Sequence, residues 1–208
     1  MTAFFKDPSI FSGTPEVQQV VKWADRQFRR IQDFWLKESW DDLRAPATSL
    51  KVGSTAPTVN TTFGWLEFAH NQDEFVFQFF QLPHSWKVGT ALKPHVHWMK
   101  TTSASGEVEW QFQYRWLKTG EVLDATWTTL SSLTPVVSDG DTQYQSALTS
   151  FSDITTDGID ISDMLICKLT RLGSSYSGTS HYAAAAALVE LDIHFMRDGF
   201  GSSQVYRK

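Results

Sequence analysis

A single cysteine stands in this 208-residue chain, so no disulfide can close within it. That excludes a disulfide-stapled scaffold and suits assembly in a reducing cytoplasm. Cys167 lies in the apolar run Met164-Leu165-Ile166-Cys167-Lys168-Leu169, which predicts a buried, inert thiol rather than a nucleophile. Runs of lysine or arginine are also missing, and the net charge is −5. A nucleic-acid partner is therefore not expected. The densest basic group, Arg26, Arg29 and Arg30, is interleaved with apolar helix positions and reads as a solvated helix face. No segment offers the roughly 20 apolar residues of a membrane-spanning helix, so no membrane partner is expected. Residues 1–8 lack a long apolar stretch and a cleavage site, so no signal peptide is expected there. No internal repeat of fixed period occurs, which argues against solenoids and propellers.

Aromatic residues are plentiful. Nine tryptophans and fifteen phenylalanines can fill the core of one domain with a small appendage. Residues 1–12 read as an apolar arm carrying Phe4, Phe5, Ile10 and Phe11, punctuated by Pro8. Thr14 as cap and Pro15 in the first helical position then open a helix. Val17, Val21, Ala24, Phe28, Ile31 and Trp35 recur at alternating steps of four and three, a heptad seam that Val20, Trp23 and Phe34 widen. That seam packs either on the chain's own domain or against sister helices of a homo-oligomer, and periodicity leaves both open.

From Leu43 onward the period changes to two. Strands are expected at 62–68, 74–82, 93–101 and 107–117, more weakly at 121–131, 142–151 and 163–172, and the last near 184–197. In the last of these, Val189, Leu191, Ile193 and Phe195 fall on one face; Leu188, Glu190, Asp192, His194 and Met196 fall on the other. Strands separated by short polar loops, without helical crossovers, predict a mainly β fold. It is an antiparallel jelly-roll sandwich with an N-terminal α-helix and an extended arm. The expected organisation is an arm and helix over 1–41 for attachment and oligomerisation, a sandwich over 42–198, and a flexible C-terminal arm over 199–208.

The most chemically informative segment is Gly89-Thr90-Ala91-Leu92-Lys93-Pro94-His95-Val96-His97-Trp98. Residues two apart on a strand share a face. If residues 102–106 form a hairpin loop, Val96 and Trp98 face the same way as Trp110 and Phe112. His95, His97 and Met99 then join Glu109, Gln111 and Gln113, and a nearby final strand would add Glu190, Asp192 and His194. Imidazoles and carboxylates of this kind bind zinc, iron or manganese, which makes His95, His97, His194 and Glu109 the candidate ligands. The spacing from Gly89 to His95 and His97 resembles the start of a cupin metal motif, the basis of an alternative reading as a metal-dependent enzyme. The glutamate that motif expects further on is replaced by Thr101 and Thr102, and the inward positions fall to Val96 and Trp98. The preferred expectation is therefore a polar face, with no metal, no cofactor and no catalytic residue.

Other constellations are weaker. Ser85 beside His84 does not define a triad. Asp153, Asp157, Asp160 and Asp163 lack calcium-loop spacing and read as turn residues. Gly199-Phe200-Gly201 lacks the context of a phosphate loop. Trp86, in a loop, is the candidate for stacking on a sugar.

Three segments carry a resemblance. They are Trp40-Asp41-Asp42-Leu43-Arg44-Ala45-Pro46-Ala47-Thr48-Ser49; Gln81 to Lys87 followed by Lys93-Pro94-His95-Val96-His97-Trp98; and Leu188 to Phe195 with Gly201-Ser202-Ser203. Over about residues 40–208 the chain resembles a group of proteins encoded among the virion structural genes of tailed bacteriophages. The resemblance implies a non-enzymatic particle component assembled in the host cytoplasm and located in the virion. Its partners would be other capsid or tail proteins. Jelly-roll proteins of such particles serve as capsid decoration, head fibres, or tail and tail-fibre parts, the last with a carbohydrate or receptor site. By the same analogy the oligomer expected first is a trimer. Attachment would fall to Phe4, Phe5, Ile10 and Phe11, with Val17, Val21, Phe28, Ile31 and Trp35 packing the helix.

Overall fold

The computed structural model of the chain describes residues 14–35, 38–130, 132, 142–199 and 201, without the side chains of 32–35. The proposed anchors Phe4, Phe5, Ile10 and Phe11, the side chain of Trp35, and most of the C-terminal arm lie outside the described residues. The chain divides into two compact units, residues 1–38 and 39–208.

In the first unit, α1 spans Pro15–Trp35. Proline needs no donor at the first helical position, and the Thr14 carbonyl accepts the Gln18 N–H at 3.1 Å, starting the ladder. Asp25 and Arg29 pair one turn apart at 3.0 Å on the polar side. Val17, Val20, Trp23, Phe28 and Ile31 are exposed large apolar residues.

Among the described residues the second unit has eleven strands in chain order: β1 (Ser39–Pro46), β2 (Lys51–Val52), β3 (Thr58–Asn60), β4 (Trp65–Phe68), β5 (Glu74–Gln81), β6 (Lys93–Lys100), β7 (Trp110–Leu117), β8 (Thr128–Leu130), β9 (Ser146–Ser150), β10 (Met164–Arg171) and β11 (Ala186–Arg197). One sheet runs β3-β4-β11-β6-β9, with β1 also paired to β11; the other runs β2-β5-β10-β7-β8. Every named pair is antiparallel. Two antiparallel sheets face to face make the jelly-roll sandwich, with one helix at the N-terminal end.

The core lies between the sheets, and alternation along the strands supplies most of it. Leu66 and Phe68 of β4, Val96 and Trp98 of β6, Trp110 and Phe112 of β7, and Leu165, Cys167 and Leu169 of β10 are all buried. Phe68 meets Trp110 edge-on at 5.0 Å. Burial pushes the Cys167 thiol well above its ordinary range, which keeps it protonated and inert.

Three local expectations are corrected. Residues 102–106 do not close a hairpin: β6 and β7 belong to opposite sheets, and the intervening chain crosses between them. Five polar and small residues suit a crossing as well as a turn, so spacing alone misleads. Val189 is 39 % exposed whereas Leu188 is fully buried, because a β-bulge between Leu188 and Glu190 shifts the phase of β11. Beyond the bulge Leu191, Ile193 and Phe195 point inward, as alternation requires. Strand structure also begins earlier than Leu43: Ser39, Trp40 and Asp41 already pair with Arg197, Met196 and Phe195.

Candidate functional site

The outer face of the first sheet gathers the chemically useful side chains. Residues whose neighbours fill the core alternate with residues aimed away from it. From β1 these are Trp40, Asp42 and Arg44; from β11, Glu190, Asp192 and His194; from β6, His95, His97 and Met99. Register brings them together, since Asp192 lies opposite both Arg44 and His95, and His194 lies opposite Asp42.

His95 Nε2 stands 3.1 Å from His97 Nε2 and 3.6 Å from Asp192 Oδ2. The His194 ring lies 4.4 Å from the His95 ring, steeply inclined to it, and its Nε2 is 3.6 Å from Asp42 Oδ1. His95 and Asp192 are buried although their strands turn them outward. Burial lowers the His95 pKa, and His194 and His97 lower it further by repulsion. Burial raises the Asp192 carboxyl, with Asp42 and Glu190 adding to the effect and His194 opposing it. Arg44 grips Glu190 through two hydrogen bonds of 2.8 Å, closing one flank. A groove of about 480 Å³ opens beside the cluster, lined in part by Arg44, His97, Met99, Ser146 and Glu190. Neutral imidazoles and a carboxylate at these separations can hold a divalent metal ion.

A second feature occupies the same face near the β3–β4 end. Asn60 closes the four-residue turn: its side-chain oxygen accepts the N–H groups of Thr62 and Phe63 at 3.1 Å each, and its carbonyl accepts the Gly64 N–H at 2.8 Å. Gly64 takes φ +77°, a conformation that favours glycine. This turn lays Phe63 over Trp65, with ring centroids 4.4 Å apart and planes only 13° from parallel. Tyr144 completes a triangle at 5.8 Å from Phe63 and 5.7 Å from Trp65. Its backbone sits at φ +61°, uncommon for a bulky residue, and is held there as its N–H donates to the Lys100 carbonyl at 2.9 Å. Phe63 is 56 % and Tyr144 43 % exposed. Glu67 accepts hydrogen bonds from the Trp65 indole at 3.0 Å and the Asn60 amide at 2.7 Å, fixing the central ring and providing a polar rim.

Of the residues singled out from sequence, the structure brings together His95, His97 and His194. It separates Glu109, which lies beyond the other sheet and accepts hydrogen bonds from the Ser177 N–H and hydroxyl. Its place is taken by Asp192, which the face pattern had set beside the histidines without naming as a ligand. Trp86 is fully buried and its indole donates to the Thr90 carbonyl at 3.3 Å, so it cannot stack on a sugar as expected. Asp163 caps loop N–H groups of Thr119 and Asp160, in keeping with a turn role. The aromatic triangle was missed. Its only sequence signal is the Asn60-to-Gly64 turn spacing beside two aromatics, since Tyr144 is distant in the chain.

No protein-family model and no curated protein matches the chain. Solved structures with a similar course of the chain include the isomalto-dextranase of Arthrobacter globiformis T6, complexed with panose, at 14 % identity and TM-score 0.44, covering 73 % of this chain and 23 % of that one. A Paenibacillus cycloisomaltooligosaccharide glucanotransferase gives 13 % identity and TM-score 0.42, covering 76 % of this chain and 18 % of that one. A family 35 carbohydrate-binding module from Clostridium thermocellum gives 9 % identity and TM-score 0.39, covering 74 % and 97 %. This chain thus spans less than a quarter of the first two. Its class, a β-sandwich of jelly-roll type, follows from its own strand order.

Proposed function

We propose that the chain is a non-enzymatic structural component of a tailed-phage virion, of the tail or tail-fibre kind, whose sandwich recognises carbohydrate through Phe63, Trp65 and Tyr144. The observation that carries this reading is the exposed aromatic triangle, built on a fixed turn and a constrained tyrosine. Apolar C–H faces of a pyranose stack on such rings while its hydroxyls meet a polar rim. Asn60 and Glu67 form that rim, bonded to each other beside the Trp65 indole. Placement in a virion is supported by the sequence resemblance over about residues 40–208.

A second reading is capsid decoration or a head fibre attached through the N-terminal arm, with the helices joined in a trimer. The exposed apolar stripe of α1 favours it, because five large apolar side chains on one helix call for a covering surface. The two readings differ in the position on the particle, and one rests on the sandwich while the other rests on the helix.

A glycan array probed with the full-length, tag-free chain tests the first reading. Phe63→Ala and Tyr144→Ala should each weaken the best ligand by about tenfold or more while leaving the melting temperature unchanged. A chain that binds no glycan, or binds equally well without either ring, would refute it.

A further inference from the structure

The glycan reading uses none of the three imidazoles and the buried carboxylate clustered further along the same face. Ordinary polar packing leaves two features of that cluster unexplained. Among the described residues Asp192 Oδ1 is buried without a hydrogen-bond partner, in a side chain only 8 % exposed. His95 Nε2 faces both His97 Nε2 at 3.1 Å and Asp192 Oδ2 at 3.6 Å, yet a neutral imidazole has at most one proton to give there. A cation among these atoms would satisfy all of them at once.

We propose that His95, Asp192 and His194 form a binding site for one zinc-class divalent transition ion, with His97 beside the fourth position. Ligand atoms of the first three residues all lie within 4.8 Å of one another. A tetrahedral ion with bonds of about 2.0–2.1 Å sets its ligand atoms roughly 3.3–3.4 Å apart. The 3.1 Å and 3.6 Å separations already bracket that value. The partly exposed His194 has room to rotate and close the remainder.

The fold accounts for the convergence. Asp192 lies directly opposite His95 across β11 and β6, and His97 and His194 each follow two residues on, so alternation turns all four to one face. The β-bulge after Leu188 sets the phase that sends Asp192 and His194 outward rather than into the core. Three nitrogen donors and one carboxylate suit zinc, cobalt or nickel. Calcium and magnesium take all-oxygen shells and fit poorly. Asp42 adds negative charge nearby that favours a cation, whereas Glu190 is already paired with Arg44.

The test uses the full-length, tag-free chain freed of metal by chelator and dialysis. It is titrated with zinc sulfate by calorimetry and with cobalt chloride by absorption. One ion per chain is expected, with visible bands of tetrahedral cobalt. His95→Gln and His194→Ala should each weaken binding by about 100-fold. His70→Ala, away from the cluster, should leave it unchanged. Because His194 is partly exposed, its variant should fold, and circular dichroism confirms that. Absence of binding to the folded chain overturns the proposal. So does binding that survives both cluster substitutions, or that falls equally in His70→Ala.

Discussion

Arg171 offers a demanding test of how the sandwich is closed at one end. It is fully buried at the end of β10. Its guanidinium donates to the carbonyls of Phe68 at 2.5 Å, Ala184 at 2.8 Å and Tyr182 at 2.9 Å, tying β4 and the approach to β11 onto the opposite sheet. Burial lowers its pKa to about 10, so it remains charged at neutral pH. In Arg171→Met the carbonyls stay where they are but lose their donors. Three charge-assisted hydrogen bonds at roughly 2 kcal/mol each are lost. The relief of desolvation returns about 3 kcal/mol, within the several kcal/mol that a buried ion costs. The net cost is about 3 kcal/mol, equivalent to a fall of roughly 6–12 °C in melting temperature for a domain of this size. Arg171→Lys should recover only part, because an ammonium cannot span three carbonyls in a fixed plane. Thermal melts followed by circular dichroism measure both variants. A methionine variant within about 0.5 kcal/mol of the parent would refute the claim that this cation organises the sheet end.

Three further outcomes are expected. Gly106 has φ +142°, and a Cβ there would lie 2.5 Å from the Tyr182 Cα, so Gly106→Ala should cost about 2 kcal/mol by thermal melt. His181 is held below its ordinary pKa by burial, then by Arg171 and His70. His95 is likewise lowered, so below pH 6.5 the unfolded chain takes protons that the folded one refuses. Stability present above that pH is lost on acidification; melts across a pH series should show the loss, and His181→Gln should reduce it. If the α1 seam joins copies of the chain, Phe28→Asp should turn an oligomer into monomers by light scattering while the sandwich melts at its usual temperature. Loss of the whole fold would instead place the helix in the domain core.

Much of the sandwich was legible because alternation is a local signal. Val96 and Trp98 inward with His95 and His97 outward, and Trp110, Phe112 and Tyr114 inward on β7, follow from a period of two. Which sheet a strand joins is not local. The chain between β6 and β7 has hairpin composition yet crosses the core, and that one misreading put Glu109 among the histidines. The bulge at Val189 is one extra residue in an apolar run, invisible until β6 supplies the register. The aromatic triangle joins a turn at 60–64 to Tyr144 across the sheet, a pairing that no sequence pattern announces. The start of α1 was readable because capping and proline chemistry act within one turn.

The glycan reading is tested most directly by following the nine tryptophan indole N–H resonances of the isotopically labelled chain during titration with an oligosaccharide selected on the array. The account predicts that the Trp65 resonance moves saturably while those of the buried Trp86, Trp98 and Trp110 stay in place. A bound sugar that leaves Trp65 unmoved and shifts another indole would contradict it.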